Sequence, residues 1–412
     1  MTTQWVRARV LSPEGPEELT WIDDALVGLE DGRFAHVGPY DGRPVHMDVR
    51  PGVLMPGFVD AHVHFPQTRI IGSASGPLLA WLEKSTFPEE ARFEDAAHAA
   101  EVSREFADRL TRAGTTLSMV YSSVHPDACF ALLDTFAERG LRTIAGPVLM
   151  DEHCPEALKL PASEALPALE RLVERWHGHD GRIQLAVVPR FALSCSAELM
   201  RAAGELAKAH GLWVTTHLSE TVAECQVATE RFGAPDYLTV YDDLGLVHER
   251  SVYAHCIHLS EREWDRMAEA GAVVAHCPDS NDFLGSGGMP IAEALRRGVP
   301  VSVGTDVAAG RTFQVPRILS SAYDNGLRTG HPLSLAQLLW LGTRGGALAL
   351  GHDQVGQIAV GKEADMVLVD VPWWAADAEG VLSSVFFDHD RPLPRCVWVR
   401  GQVVAGEPEE GW

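Results

Sequence analysis

The 412-residue chain has the composition of a folded protein, since 46% of its residues are hydrophobic and 22% are charged; it is long enough for one large domain with an appendage or for two domains. Its 57 acidic residues outnumber 34 Lys and Arg residues, and the formal net charge of -23 disfavours binding to nucleic acid or to an anionic membrane surface. A small neutral substrate is therefore the expected partner.

The cysteines and the N-terminus bear on the cellular compartment. The seven cysteines are widely scattered and include no Cys-x-x-Cys pair, a pattern that fits a reducing compartment rather than a disulfide framework. Residues 1–7 lack a basic segment followed by an apolar one, and no apolar run is long enough to span a bilayer. We therefore predict a cytoplasmic protein with no membrane partner.

Residues 1–55 are predicted to form β-structure, because short apolar runs at 25–29 and 34–37 are separated by turn signals. From Pro56 onward, helical patterns alternate with short apolar runs rich in β-branched residues. Eight such runs begin at positions 58, 116, 143, 183, 213, 252, 272 and 301, and most are joined by helices that end at glycine. Eight β/α units in succession predict an α/β fold, a parallel (β/α)₈ barrel of the TIM type, over residues 56–355.

The chain returns to a β pattern after the barrel. Apolar runs at 366–369 and 396–404 predict strands, the second of them as a pair around an Arg-Gly turn. These strands are expected to pair with the N-terminal ones. Residues 1–55 and 356–412 would then form a small β-sandwich domain built from both ends of the chain.

Metal-type side chains are concentrated at the predicted strand ends. His62 and His64 lie one residue apart on the first barrel strand and face the same way, because side chains alternate along a strand. Later strands end at His217, His255, His276 and Asp306. Any one of these residues is compatible with a core or capping role. Parallel barrels, however, carry their chemistry at the carboxyl ends of the strands, so the whole set predicts a metal site.

The predicted ligands suit zinc, which takes imidazole and carboxylate donors. We predict that one zinc ion per chain is held by His62, His64, His217 and Asp306. Such an ion would lower the pKa of a bound water towards ~7 and make it a nucleophile.

A proton carrier is also needed, and Glu220 lies three residues after His217. A solvated loop carboxylate is the alternative interpretation of Glu220. His255 is predicted to hold the attacking water or the departing group. His276 either does the same or is a buried structural histidine.

Several motifs occur in combination. They are the His-x-His strand, Gly304-Thr305-Asp306, the runs 345–351 and 361–365, Phe65-Pro66-Gln67, the run 78–84, Thr86-Phe87-Pro88, the run 188–195 and His276-Cys277-Pro278. With these motifs the chain resembles the amidohydrolase superfamily, and more closely its guanine deaminase family, from about residue 54 to 370. The resemblance implies a mononuclear zinc barrel enzyme that hydrolyses guanine to xanthine and ammonia, typically as a homodimer.

The resemblance also implies roles for individual residues. The zinc ligands would be the four named above, Glu220 and His255 would be catalytic, and Gln67, Arg190 and Phe191 would contact the substrate. We also predict that Asp306 takes part in catalysis and that Trp81 and His276 bind the substrate. The chemistry agrees, because a purine ring stacks on an aromatic side chain such as Phe191 and its carbonyl accepts hydrogen bonds from a donor such as Arg190. An exposed Arg beside a core Phe is the alternative for that pair.

Some features depart from the family pattern. Asp279 and Asp282 put carboxylates where the family more often has neutral or apolar residues, and the tail beyond Asp390 diverges.

Two alternative functions are compatible with the sequence. One alternative is a related barrel enzyme. It would be a deaminase of another heterocycle, such as an oxidised purine, a pterin or a triazine, or else a hydrolase of cyclic amides. The cyclic-amide hydrolases often use a bridging lysine on the fourth strand, where the run 183–190 has none. A non-catalytic binding module is the other alternative, and an intact proton carrier counts against it.

Overall fold

The structure, a computed structural model, describes residues 3–73, 76–390 and 394–408. Its strands, in chain order, are β1 (Gln4–Pro13), β2 (Leu19–Glu30), β3 (Arg33–Pro39), β4 (Met47–Pro56), β5 (Phe58–His64), β6 (Thr115–Tyr121), β7 (Arg142–Gly146), β8 (Val148–Leu149), β9 (Ile183–Pro189), β10 (Trp213–Leu218), β11 (Ser251–His255), β12 (Val273–His276), β13 (Val301–Val303), β14 (Met366–Val369), β15 (Cys396–Val399) and β16 (Gln402–Gly406).

The α-helices are α1 (Leu78–Trp81), α2 (Phe87–Ala91), α3 (Ala96–Arg112), α4 (Pro126–Glu138), α5 (Ala162–Trp176), α6 (Ala197–His210), α7 (Val222–Phe232), α8 (Tyr237–Asp242), α9 (Glu261–Ala270), α10 (Pro278–Leu284), α11 (Ile291–Arg297), α12 (Val315–Arg328), α13 (Leu335–Gly342), α14 (Arg344–Ala349) and α15 (Ala378–Phe387). A π-helical turn (Leu82–Thr86) joins α1 to α2, and four 3-10 turns span Phe65–Gln67, Arg92–Glu94, Glu156–Leu158 and Ala192–Ser194. None of the helices in the described part of the chain is both long enough and apolar enough to cross a bilayer.

Eight parallel strands form the barrel, in the order β5, β6, β7, β9, β10, β11, β12 and β13, and short β8 pairs with β9. The segment that follows the last strand meets the first strand through the backbone, because Asp306 N–H donates to His62 O at 2.8 Å and His64 N–H donates to Val307 O at 3.3 Å. Gly304 makes this approach possible, since a Cβ there would lie 2.7 Å from the Cβ of His62. The predicted (β/α)₈ barrel is confirmed.

Local signals explain the alternation of helices and strands. In α6, for example, the Ser196 side chain accepts a hydrogen bond from the N–H of Leu199 at the start of the helix. Gly211 ends the same helix in a left-handed conformation, with φ of 64°. Such caps return the chain directly to the next strand.

The terminal strands form a second sheet, in the order β16, β15, β14, β4, β1, β2, β3. The two ends of the chain meet where β14 pairs antiparallel with β4, for instance Leu368 with Leu54, and both of these side chains are buried. The prediction that both termini build one β-domain is confirmed. Hydrogen bonds join all seven strands into a continuous sheet, in which β1 pairs with β2 on one side and with β4 on the other. Residues 391–393 and 409–412 of the predicted domain lie outside the described residues.

A buried ion pair connects the two sheets at the amino end of the barrel. Arg142, the first residue of β7, donates to the carboxylate of Asp365 at 3.2 Å and to that of Glu363 at 2.5 Å. Asp365 directly precedes β14 of the terminal sheet, and its backbone carbonyl accepts from Gly57 N–H at 3.1 Å. The opposite, carboxyl end of the barrel is the end at which His62, His64 and His217 lie.

Candidate active site

Four side chains converge at the carboxyl end of the barrel. His62 and His64 come from β5, His217 from β10, and Asp306 follows β13; one ligand atom of each lies within 4.8 Å of the others. Nε2 of His64 is 3.1 Å from Nε2 of His62 and 3.3 Å from Nε2 of His217. Oδ1 of Asp306 is 3.3 Å and 3.2 Å from the same atoms of His62 and His64. These four separations are close to the ~3 Å between neighbouring ligands of one zinc ion with bonds of ~2.0 to 2.2 Å, so the spacing fits one ion. The other two separations are no longer than 4.8 Å, and the wider spacing leaves room for a further ligand such as water.

The three imidazoles are in the form that binds metals. Burial lowers the pKa of His62, lowers that of His64 to about 4 and holds that of His217 well below its ordinary value, so the rings are neutral at pH 7. Nδ1–H of His217 donates to the carbonyl of Arg190 at 2.6 Å, which leaves Nε2 free to coordinate. The donor set therefore fits a divalent metal ion.

Asp60, the acidic residue two positions before His62, anchors the backbone that carries these ligands. Its carboxylate accepts from the backbone N–H and the hydroxyl of Thr305, at 2.9 and 2.5 Å, and from the N–H of His62 at 3.2 Å. These bonds turn the chain after Val303, so the predicted eighth strand, 301–306, ends three residues early. Asp306 then adopts a left-handed conformation with φ of 49°.

Strained backbone also occurs at two neighbouring strand ends. Ser219 after β10 has φ of 53°, while His255 at the end of β11 and the following Cys256 have φ of 74° and 52°. None of these residues is glycine, and such conformations are found where tertiary contacts over-determine them, often at functional sites.

Glu220 is buried beside the metal-type cluster. Only 2% of its surface is exposed, so the alternative of a solvated loop carboxylate is wrong. Its Oε1 accepts from the hydroxyl of Ser286 at 2.9 Å, and its Oε2 lies 3.6 Å from Nε2 of His255. Burial, followed by the nearby charge of Asp306, raises the pKa of Glu220 to about 8. The carboxyl group is thus able to hold a proton near neutral pH.

The two remaining histidines differ in position. Nδ1 of His255 is 2.8 Å from Oδ1 of Asn281, and as a donor there it leaves Nε2 facing Glu220 and Asp306. His276, although predicted to bind substrate, does not line the pocket, and within the described residues neither of its ring nitrogens has a hydrogen-bond partner. Burial lowers its pKa to about 3. The geometry therefore favours the alternative interpretation of His276 as a buried structural residue.

A pocket opens beside the cluster. Its wall includes four of the predicted substrate-binding residues, namely Gln67, Trp81, Arg190 and Phe191. The indole of Trp81 is held by a hydrogen bond from Nε1 to the carbonyl of Ser73 at 2.9 Å. Glu220, His255, Asp306 and the second buried carboxyl group Glu224 line the same pocket.

The polar wall of the pocket rests on Glu90, a residue that sequence reasoning missed. The guanidinium of Arg190 donates to Oε2 of Glu90 at 2.6 Å, and the amide Nε2 of Gln67 donates to Oε1 at 3.0 Å. The Arg190 side chain is 4% exposed, so the alternative of an exposed arginine is wrong. The nearest sequence feature that could have pointed to Glu90 is the Thr86-Phe87-Pro88 motif, which ends two residues before it.

The two unusual carboxylates belong to ion pairs away from the pocket. Asp279 accepts from the backbone N–H of Arg311 at 2.7 Å and from its guanidinium at 2.5 Å. Asp282 accepts from the guanidinium of Arg328 at 2.8 Å. Neither Asp279 nor Asp282 lines the pocket, so both departures from the family pattern act on local structure.

Comparison with known proteins agrees with this geometry. The model of the amidohydrolase family matches residues 53–404. A guanine deaminase of Escherichia coli is 38% identical over 371 residues, covering 87% of this chain and 84% of that protein. A probable guanine deaminase of Deinococcus radiodurans is 39% identical over 417 aligned positions, covering 95% and 94%. The structure of guanine deaminase from C. acetobutylicum with guanine in its active site has a TM-score of 0.92 at 27% identity, covering 98% of this chain and 100% of that one. The chain therefore belongs to the amidohydrolase family, and within it to the guanine deaminases.

Proposed function

We propose that this protein is a metal-dependent hydrolase that converts guanine to xanthine and ammonia. The main support is one pocket that combines three elements: a cluster of metal-type ligands, a buried carboxyl group that can hold a proton, and a wall with an aromatic ring and polar donors. Hydrolysis of an aminated heterocycle needs all three of these elements.

The chemical step divides between the cluster and its neighbours. Zinc held by His62, His64, His217 and Asp306 would supply an activated water at neutral pH. Glu220 then delivers a proton to the ring nitrogen beside the amino-bearing carbon, because attack on that carbon places negative charge on the nitrogen. His255, 3.6 Å from the carboxylate, holds the departing amino group in line. Glu220 is kept in reach by the hydroxyl of Ser286.

Binding relies on the opposite wall. The ring of Phe191 stacks on the purine, and Trp81 adds apolar surface. Arg190 and Gln67 donate hydrogen bonds to the carbonyl and ring edge of guanine. An analogue without acceptors there would leave buried donors unpaired, at ~1 to 3 kcal/mol each. Adenine carries an amino group in place of that carbonyl, and its C2 has no leaving group, so it is expected to be a poor substrate.

A direct comparison of substrates tests the proposal. Xanthine formation from guanine is measured beside ammonia release from adenine, 8-oxoguanine and pterin. Guanine is expected to have the highest kcat/KM. Arg190→Ala should raise KM for guanine and reduce the ratio of kcat/KM for guanine to kcat/KM for the other compounds. The metal content should not change. A clear preference of the wild-type protein for any of the other three compounds would overturn the assignment of guanine.

Three further properties belong to the same proposal. Zinc at one ion per chain is supported by the mixed imidazole and carboxylate donors. A cytoplasmic location is supported by seven cysteines that are all free. A homodimer remains a prediction from the family resemblance, and light scattering of the purified protein tests it.

A further inference from the structure

Glu90 lies behind the substrate pocket and joins the two polar side chains of its wall. Its two carboxylate oxygens accept from different partners, Oε1 from Gln67 at 3.0 Å and Oε2 from Arg190 at 2.6 Å. All three residues are at most 3% exposed. Gln67 and Arg190 line the pocket, whereas Glu90 does not. Glu90 therefore acts on a bound molecule only through these two neighbours.

The contacts of Gln67 allow only one orientation of its amide. Its Oε1 accepts from the backbone N–H of Ala308 at 2.9 Å, and a backbone N–H cannot accept in return. Its Nε2 faces the Glu90 carboxylate, which when ionised can only accept. The amide is thus fixed at both ends, and the Nε2 hydrogen not bonded to Glu90 is available as a donor.

Glu90 also orients Arg190, and in this pair it balances a positive charge as well. A guanidinium carries five N–H donors, and the bond from Nη1 of Arg190 to Glu90 leaves others uncommitted. The carboxylate also balances the positive charge, which is necessary because an unpaired charge at this degree of burial is costly. The pair therefore offers donors to the pocket with little net charge.

We propose that Glu90 is a positioning residue that sets the polarity of the substrate pocket. It holds Gln67 and Arg190 as hydrogen-bond donors and cancels the Arg190 charge, so that the wall selects a neutral heterocycle with acceptors along its edge. This inference rests on the proposed function, because guanine is the neutral purine that the wall would take. It adds a residue that does not touch the substrate.

Replacement of Glu90 by Gln puts the two contacts in conflict. A carboxamide has one accepting and one donating end, whereas both Gln67 and Arg190 donate to the native side chain. If the new oxygen faces Arg190, its NH₂ group faces the NH₂ group of Gln67. If the oxygen faces Gln67, the NH₂ group faces the guanidinium. Either arrangement disturbs one donor of the wall and leaves the positive charge of Arg190 unbalanced.

The experiment uses two purines of different charge. KM and kcat are measured for guanine, and Ki is measured for urate, a purine with acceptor oxygens that is an anion at neutral pH. In Glu90→Gln we expect KM for guanine to rise about tenfold, with kcat within about threefold, because roughly one hydrogen bond of binding is lost. Ki for urate should fall by about tenfold, since Arg190 is no longer neutralised.

The neighbouring Glu89 offers a matched control. It is also buried in α2, but its carboxylate pairs with Arg92 at 2.7 Å instead of with the pocket wall. Glu89→Gln is expected to leave both constants within about twofold of wild type. Glu90→Asp keeps the charge but is too short to reach both partners. It should raise KM for guanine while leaving Ki for urate within about threefold.

The opposite shifts for the neutral and the anionic purine distinguish positioning from general damage. The inference is overturned if Glu90→Gln keeps both constants, or if guanine and urate weaken together. Should Glu90→Gln fail to fold, Glu90→Asp decides instead. A raised KM for guanine with Ki for urate within about threefold supports the inference, whereas an unchanged KM for guanine, or a parallel weakening of urate, overturns it. A wild-type protein without activity on guanine would contradict the proposed function, while urate binding measured by calorimetry would still test Glu90.

Discussion

Glu220→Gln separates proton transfer from binding more cleanly than any other single change in this chain. The amide has nearly the shape of the carboxyl group, and its oxygen can still accept the hydrogen bond that Ser286 donates to Glu220 at 2.9 Å. The amide cannot release and recover a proton. The pKa of about 8 that burial gives to Glu220 shows that the native group can hold one near neutral pH.

The expected loss follows from the role. General acid-base catalysis contributes ~10² to 10⁴ to kcat, which corresponds to ~3 to 5 kcal/mol of transition-state stabilisation. Binding should change much less, because Gln67 and Arg190 bond to Glu90 and not to Glu220. We therefore expect kcat to fall by that factor, KM for guanine to stay within about threefold, and metal content to be retained.

The assay is steady-state xanthine formation, combined with single-turnover measurements and elemental analysis of the same samples. Ser286→Ala provides a comparison, because it keeps the carboxyl group of Glu220 and removes only its hydrogen-bond partner. We expect it to lower transition-state stabilisation by ~1 to 3 kcal/mol. Turnover of Glu220→Gln at the wild-type rate would refute the proton-transfer role. A change confined to KM would make Glu220 a substrate-binding residue instead.

Three more changes test the metal site and the fold. Elemental analysis of the wild-type protein should give about one zinc per chain, and His62→Ala should lower both this metal content and the activity. Two metals per wild-type chain, or full activity after thorough chelation, would contradict the mononuclear site. Arg142→Leu should lower the free energy of unfolding in urea by ~3 to 5 kcal/mol, because Asp365, whose side chain is fully buried, loses its positively charged side-chain partner. A second change, Asp365→Leu, removes the unpaired charge and should recover most of that loss. Burial, followed by the charge of Arg142, lowers the pKa of His352 to about 4, so the unfolded chain binds a proton more readily and stability falls as the pH drops from 6.5 towards 4. Other buried histidines also take up protons on unfolding, so His352→Gln is compared with wild type in urea titrations at pH 7 and pH 5. The fall in the free energy of unfolding between these pH values should be ~2 kcal/mol smaller in His352→Gln.

The parts of this protein that could be predicted from the sequence are those that depend on neighbouring residues. The alternation of helices with apolar strands comes from periodicity and helix caps, which depend only on nearby residues. This alternation was enough to predict the barrel and the strand ends that carry His217 and His255. The His-x-His spacing of His62 and His64 likewise follows from the geometry of one strand. The segment between His217 and the strand at 252 gave no clear helical pattern, yet α7 lies there. Its apolar periodicity is weak, and its local signal is the capping box formed by Thr221 and Glu224.

The supporting residues of the site were decided only by the tertiary structure. Glu90 meets Arg190 across 100 positions of the chain, and Asp60 meets Thr305 across 245. No local pattern distinguishes a glutamate that lies behind the pocket from one that pairs with a nearby arginine. Glu89 and Glu90 are adjacent, yet Glu89 pairs with Arg92 and Glu90 lies behind the pocket. His276 shows the converse, since its place at a strand end predicted a functional role whereas its side chain is buried outside the pocket. Strand periodicity determines where the backbone of a residue lies, but the partners of a buried polar side chain depend on which distant elements pack against it.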